Sequence, residues 1–199
     1  MGTAIVAIGA SLGGFIAVRT VLEGIPKDLG CGIVVAQHRA NDPHSRLVEL
    51  LGRTCPMPIV EPEDKTPIAP NHVYLAPSDY HMLVEPGSLS LSVDAPLLYA
   101  RPSIDILFES VADAYGAAAI AVMLTGSNED GAVGAAAIKR AGGKVLVQDP
   151  LTAQSPVAPR AVLMKTPVDA VLPLDEIAKA LAFYCSGGSA RRSTTRTGS

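Results

Sequence analysis

Residues 3–14, T-A-I-V-A-I-G-A-S-L-G-G, have the pattern of a strand, a glycine-rich turn and the start of a helix, and this pattern indicates the fold class. The run 3–8 is apolar and contains β-branched residues, which favours a buried strand. Glycines then surround Ser11, and a helical pattern follows that ends at Gly24 and Pro26. This stretch therefore predicts one α/β unit with Ser11 in the turn between strand and helix.

The same alternation of strand and helix continues outward from this unit. Further strands are predicted at 32–37, 117–124, 144–147 and 168–172, and further helices from Asp42 and over 103–115, 132–141 and 175–184. The middle of the chain differs, because the stretch from Met57 to Pro102 contains eight prolines, Pro102 included. Strand-like pieces are predicted there at 72–76, 80–85 and 89–93, with a turn at 86–88. We predict an α/β fold with a doubly wound, mostly parallel sheet, helices on both faces and a β-hairpin excursion at one edge.

Composition bounds the domain organisation and excludes several classes of protein. The chain has 199 residues, of which 48% are hydrophobic, enough for one core over residues 1–185. Residues 186–199 are Ser, Gly, Thr, Ala and Arg and are predicted to form a disordered tail. The longest apolar run, 117–124, has eight residues, whereas a membrane-spanning helix needs about 20. We therefore expect no membrane insertion.

Charge and cysteine content exclude further partners and cofactors. The net charge is −3, there is no tryptophan, and three of the arginines lie in the predicted tail. Nucleic-acid binding needs surplus positive charge, so no nucleic-acid partner is expected. The cysteines (Cys31, Cys55 and Cys185) are three and widely spaced, which indicates neither a disulfide framework nor a zinc site. No secretory signal is recognised, and we expect a cytoplasmic protein without cofactor or metal.

Three residues of a hydrolytic set follow three predicted strands. Ser11 lies in G-A-S-L-G, which fits the G-x-S-x-G elbow that exposes a nucleophilic hydroxyl. His38 directly follows the strand 32–37, and Asp130 lies in the turn after 117–124. Ligands of such sheets bind beyond the carboxyl ends of the strands, so these side chains are expected to meet at one edge. The glycine-rich turn also fits a phosphate loop or a plain helix cap.

Other histidines and acids compete for the same roles. His81, in S-D-Y-H-M, is interpreted as a rim residue, and Asp149 and Glu129 are alternatives to Asp130. Asp149 precedes a proline, which favours a turn-forming role. The order Ser, His, Asp differs from that of the α/β-hydrolases, in which histidine comes last.

Five motifs follow one another along the chain: I-G-A-S-L-G-G (8–14), A-Q-H (36–38), S-D-Y-H-M-L-V (78–84), A-R-P-S-I-D-I-L-F (100–108) and L-T-G-S-N-E-D-G-A-V-G (124–134). Together they resemble the catalytic domain of the CheB-type protein-glutamate methylesterases of bacterial chemotaxis. The resemblance implies a triad of Ser11, His38 and Asp130, with a backbone N–H near Leu12 at the oxyanion. Many members have methionine where Ser127 stands here, which puts the contribution of Ser127 to that site in doubt. Arg101 is expected at the rim of the site or in solvent.

The resemblance also implies a substrate and partners. It predicts hydrolysis of glutamate γ-methyl esters on methylated chemoreceptor cytoplasmic helices, leaves glutamine deamidation open, and admits a separate receiver-domain protein as regulator. Two alternatives stay open from the sequence. One is an inactive or nucleotide- or partner-binding module on the same fold, and the other is a serine hydrolase of small esters.

Overall fold

The computed structural model describes residues 4–39 and 46–188, and in them two sheets are accompanied by six α-helices and two three-residue 3-10 helices. In chain order the strands are β1 (Ile5–Ala10), β2 (Gly32–Gln37), β3 (Ile59–Val60), β4 (Val73–Leu75), β5 (His81–Glu85), β6 (Ser88–Ser92), β7 (Ala119–Met123), β8 (Lys144–Gln148) and β9 (Ala170–Leu172). The helices are α1 (Gly14–Gly24), α2 (Leu47–Gly52), α3 (Ile104–Tyr115), α4 (Ala132–Arg140), α5 (Val157–Lys165) and α6 (Ile177–Cys185). None of these described helices is long and apolar enough to cross a membrane.

Seven parallel strands form the main sheet in the order β3-β4-β2-β1-β7-β8-β9. Strand β1 is central, with β2 on one side and β7 on the other. The chain forms β2, β3 and β4 on one side of β1, with β3 at the edge, and then crosses to the other side of β1 to form β7, β8 and β9. The strand order therefore reverses between β1 and β7, and ligands of doubly wound sheets bind at such a switch point.

Each face of the sheet has its own core because side chains of a strand alternate between faces. On β1, Ile5 and Ala7 pack with residues of α3, α4 and α5, whereas Val6 and Ile8 pack with residues of α1, α2 and α6. Both faces of β1, β2 and β7 are buried, which explains why these strands read as unbroken apolar runs. The predicted doubly wound fold is confirmed.

The proline-rich middle of the chain divides between the two sheets. Strand β4 belongs to the main sheet, while β5 and β6 pair antiparallel as a separate hairpin. The hairpin is tied to α3, since the backbone N–H of Val84 donates to Ser110 Oγ at 2.9 Å. The predicted hairpin is therefore present, and it lies against a helix.

Several boundaries differ from the predicted ones. The two-residue strand β3 and the whole of α5 have no counterpart among the predicted elements. The helix predicted from Asp42 begins outside the described residues, and α2 begins at Leu47. Most of the predicted tail, 189–199, also lies outside them.

Candidate active site

Ser11 lies in a tight turn between β1 and α1. Its backbone N–H donates to the Thr125 carbonyl at 2.9 Å, and its own carbonyl accepts from the Gly14 N–H at 2.7 Å. Gly13 adopts a left-handed conformation, with φ of +79°, which an L side chain rarely adopts. A Cβ at Gly126 would lie 3.0 Å from the Ser11 Cβ, so glycine there makes room for the serine. The glycines thus hold the Ser11 hydroxyl at the end of the central strand.

The structure brings Ser11, His38 and Asp130 together. His38 Nδ1 lies 3.2 Å from Ser11 Oγ, and His38 Nε2 lies 2.7 Å from Asp130 Oδ2. The three residues follow β1, β2 and β7, which are neighbours in the sheet. Adjacent parallel strands therefore explain how side chains 27 and 92 positions apart meet at one edge.

Asp130 is buried, and four donors surround its carboxylate. Oδ1 accepts from Ser103 Oγ and the Asp105 N–H, each at 2.9 Å. Oδ2 accepts from the Ile104 N–H at 2.8 Å and from His38 Nε2. The carboxylate thus caps the N-terminus of α3, where backbone N–H groups and the helix dipole favour a negative charge. Because it only accepts, His38 carries its proton on Nε2, which leaves Nδ1 free to accept from Ser11.

The same contacts set the charge of Asp130. Burial alone would raise the pKa of this carboxyl, but the hydrogen bonds from His38 and from the Asp105 and Ile104 N–H groups outweigh burial. The pKa of Asp130 therefore lies below its ordinary value. An ionised Asp130 can orient His38 and stabilise an imidazolium during proton transfer.

A cleft of about 880 Å³ opens over Ser11 and His38. Leu12 and Ser127, both predicted near the oxyanion, line it and are exposed. Within the described residues, the Leu12 N–H donates no hydrogen bond, and it stands at the entry to α1. A free N–H directly after the serine is suitably placed to stabilise the oxyanion that forms on a carbonyl oxygen when Ser11 Oγ attacks the carbonyl carbon.

Arg101 lines the cleft, but its guanidinium is largely occupied. Nε and Nη2 donate to Asp79 Oδ1 at 3.0 and 2.6 Å, and Nη1 donates to the Val93 and Asp94 carbonyls at 2.8 and 3.0 Å. Arg101 therefore fastens the loop 93–101 at the rim. The side chain of Arg101 is therefore at the rim and is not fully solvated.

His81 is not a rim residue, because its side chain is buried, with 1% of the residue exposed. It is the first residue of β5, its ring lies between the loop after β6 and the start of α3, and it does not line the cleft. The competing acids also lie outside the cluster. Asp149 accepts from the Leu151 N–H in the predicted turn, and Glu129 is exposed.

Ser103 is a residue of the site that the sequence did not indicate. Its side chain caps α3 by accepting from the Ile106 N–H and also donates to Asp130. Serine before an apolar helix signals an N-cap, but nothing local to the sequence shows that the hydroxyl also meets a carboxylate 27 positions away. Within the described residues, no group of three or more His, Cys, Asp or Glu side chains is placed to hold a metal ion.

Asp105 lies next to the site, and its burial leads to a prediction about the stability of the protein. It is buried on α3, its Oδ1 accepts from the Gly134 N–H at 2.7 Å, and burial raises its pKa to about 6. A carboxyl whose pKa is raised by folding favours the folded state at low pH, and this advantage is lost as pH rises from about 4 through about 6. Asp105→Asn keeps an acceptor for Gly134 and stays neutral. We expect its free energy of unfolding at pH 7.5 to exceed that of the wild type by up to about 3 kcal/mol, with the gap closing near pH 4.

Urea unfolding at several pH values measures this gap. Asp113→Asn, which alters an exposed aspartate of the same helix, controls for the loss of one negative charge. A difference between wild type and Asp105→Asn that does not grow with pH would contradict the assignment.

Comparison with known proteins identifies the family to which the chain belongs. The family model of the CheB methylesterases matches residues 6–181. A Leptospira interrogans protein with the provisional name protein-glutamate methylesterase/protein-glutamine glutaminase is 41% identical over 175 residues, which cover 87% of this chain and 91% of that protein. A Hahella chejuensis protein-glutamate methylesterase/protein-glutamine glutaminase is 39% identical over 178 residues, 87% of this chain, and the match spans 49% of that relative's length.

A solved structure agrees with the fold as a whole. The crystal structure of the Thermotoga maritima CheB methylesterase catalytic domain superimposes with a TM-score of 0.87 at 31% sequence identity, and the match covers 92% of this chain and all of that one. Motifs, sheet order, family model and solved structure agree over nearly the whole described chain. The chain belongs to the CheB methylesterase family.

Proposed function

We propose that this chain is a serine esterase that hydrolyses glutamate γ-methyl esters on the cytoplasmic helices of bacterial chemoreceptors. The observation that carries the proposal is the contact of His38 with both Ser11 and Asp130 at the edge of an open cleft. Membership of the CheB methylesterase family supports the choice of substrate.

The geometry supports acyl transfer through Ser11. As Ser11 Oγ attacks the ester carbonyl, its proton passes to His38 Nδ1, and the imidazolium is stabilised through Nε2–H by Asp130. The carbonyl oxygen gains negative charge next to the Leu12 N–H. The tetrahedral intermediate then breaks the bond to the methoxy oxygen, which takes the proton from His38 and leaves as methanol.

Water completes the cycle on the acyl-enzyme. His38 Nδ1 takes a proton from the water as it attacks, and returns that proton to Ser11 Oγ when the acyl bond breaks. The product is a free glutamate side chain. The same steps on a glutamine side chain would release ammonia, so deamidation requires no further residue.

The rim of the cleft suits a protein substrate. Leu12, Ile16 and Leu98 line it with 52%, 56% and 42% of their surfaces exposed, and Tyr99 is fully exposed there. Exposed apolar side chains around a reactive group favour contact with a protein surface. The separate receiver-domain protein and the cytoplasmic location stay predictions.

Methanol release tests the proposal against its alternatives. Purified protein is incubated with a methylated chemoreceptor fragment, with its unmethylated form, and with a free glutamate γ-methyl ester. We expect methanol from the methylated fragment, with a kcat/KM well above that for the free ester. Equal kcat/KM values would favour a hydrolase of small esters, and binding of the fragment without methanol would favour a partner-binding module.

A further inference from the structure

His81 is a buried histidine that the proposed chemistry does not use. We propose that His81 is a positioning residue, which fixes the N-terminus of α3 against the rim loop 93–101 and thereby holds Asp130 in line with His38. This inference rests on the proposed function, because it assigns the support of the same triad.

The two ring nitrogens of His81 have opposite and fixed roles. The backbone N–H of Ser103 donates to Nδ1 at 3.1 Å, and Nε2 donates to the Ala95 carbonyl at 3.2 Å. A backbone N–H can only donate and a carbonyl can only accept. His81 is therefore a neutral imidazole with its proton on Nε2, and its orientation is set by two segments of main chain.

The Nδ1 contact leads directly to the triad. Ser103 is the N-cap of α3, and its hydroxyl donates to Asp130 Oδ1. The next two residues, Ile104 and Asp105, donate their backbone N–H groups to the same carboxylate. Three of the four donors to Asp130 thus belong to residues 103–105, and the first of these residues is the one whose backbone N–H binds His81. A displacement of Ser103 would move these donors together and with them the carboxylate that orients His38.

The Nε2 contact leads to the substrate side of the cleft. Ala95 lies in the loop 93–101, which Arg101 also fastens through the Val93 and Asp94 carbonyls. Leu98 and Tyr99 of this loop line the cleft, and both have a positive φ, 49° and 63°. Non-glycine residues in that region persist only where their surroundings hold them, and they concentrate at functional sites. The His81 imidazole therefore links the loop 93–101, which faces the substrate, to the N-terminus of α3, which holds Asp130.

Two amide variants separate the two contacts. In His81→Asn, the side-chain oxygen lies as many bonds from the backbone as Nδ1, so the acceptor for Ser103 is kept and the donor to Ala95 is lost. In His81→Gln, the side-chain nitrogen lies as many bonds away as Nε2, so the donor to Ala95 is kept and the acceptor for Ser103 is lost. The pair carries the same functional group and differs by one methylene.

The readouts are the rate constant for fluorophosphonate labelling of Ser11, and kcat and KM for methanol release from the methylated receptor fragment. We expect His81→Gln to lower the labelling rate constant and kcat together by about 10- to 100-fold, with little change in KM, because a misplaced triad slows the chemical step. We expect His81→Asn to keep the labelling rate constant within about threefold of wild type and to raise KM, because only the loop is released.

The proposal is overturned if His81→Gln labels at the wild-type rate, or if His81→Asn loses as much labelling as His81→Gln at equal melting temperature. The second result would assign His81 to packing alone. Should His81→Gln fail to fold, His81→Asn still tests the proposal. A wild-type KM in His81→Asn would show that the contact with the Ala95 carbonyl does not hold the loop, and would overturn the proposal. Labelling does not depend on the natural substrate, so a wild-type protein that labels but releases no methanol would contradict the proposed function and leave the test of His81 intact.

Discussion

Replacement of Ser11 by alanine is expected to lower kcat for methanol release by at least about 10⁴-fold, because no other nucleophile replaces a lost serine in such a triad. Ser11 Oγ is the atom that His38 Nδ1 faces at 3.2 Å. Within the described residues that line the cleft, the only other serine is Ser127. Removing one hydroxyl leaves the backbone hydrogen bonds of the turn in place, so the melting temperature is expected to stay close to that of the wild type.

Initial rates of methanol release over a wide range of enzyme concentration measure this loss. Ser186→Ala, which alters an exposed serine that does not line the cleft, provides the matched control and is expected to retain wild-type rates. A folded Ser11→Ala protein with more than a few per cent of the wild-type kcat would mean that another group attacks the ester.

Replacement of Asp130 by asparagine is expected to lower kcat by about 10⁴-fold, because the neutral amide neither holds the His38 tautomer nor stabilises its imidazolium. The carboxylate accepts four hydrogen bonds, two on each oxygen. Whichever way the amide is turned, its NH₂ group faces donors on one side. We therefore also expect the free energy of unfolding to fall by about 1–3 kcal/mol, the cost of leaving buried polar groups unpaired.

The two acids that compete with Asp130 in the sequence provide matched controls. Asp149→Asn and Glu129→Gln each remove one carboxylate near a strand end, and neither residue touches His38 in the structure. Both variants are expected to keep kcat close to wild type. A loss of activity in Asp149→Asn as large as that in Asp130→Asn would contradict the assignment of the acid.

Most of the fold and the three central residues of the site follow from local patterns in the sequence. The unbroken apolar runs of β2 and β7 predict strands buried on both faces, and parallel strands bring their ends to one edge. Ser11, His38 and Asp130 follow three such strands, which is why their meeting could be expected without coordinates.

The features that the sequence did not indicate depend on contacts distant in the chain. Helix α5 has Pro159 in its first turn and little amphipathic pattern, so its formation depends on packing of Ala158 and Val162 against the sheet. His81 shares one face of β5 with Leu83 and Glu85, both partly exposed, and this pattern favours an exposed histidine. The loop 93–101 covers that position, and a local pattern cannot reveal a cover supplied by a segment more than ten residues away.

The most direct test of the triad is the site and rate of reaction with a fluorophosphonate, read by mass spectrometry of peptides. We expect one adduct, on the peptide that contains Ser11, no adduct in Ser11→Ala, and labelling slowed by at least about 100-fold in His38→Ala, because the serine then lacks its base. An adduct on a different residue, or labelling of Ser11 at the wild-type rate without His38, would contradict the account.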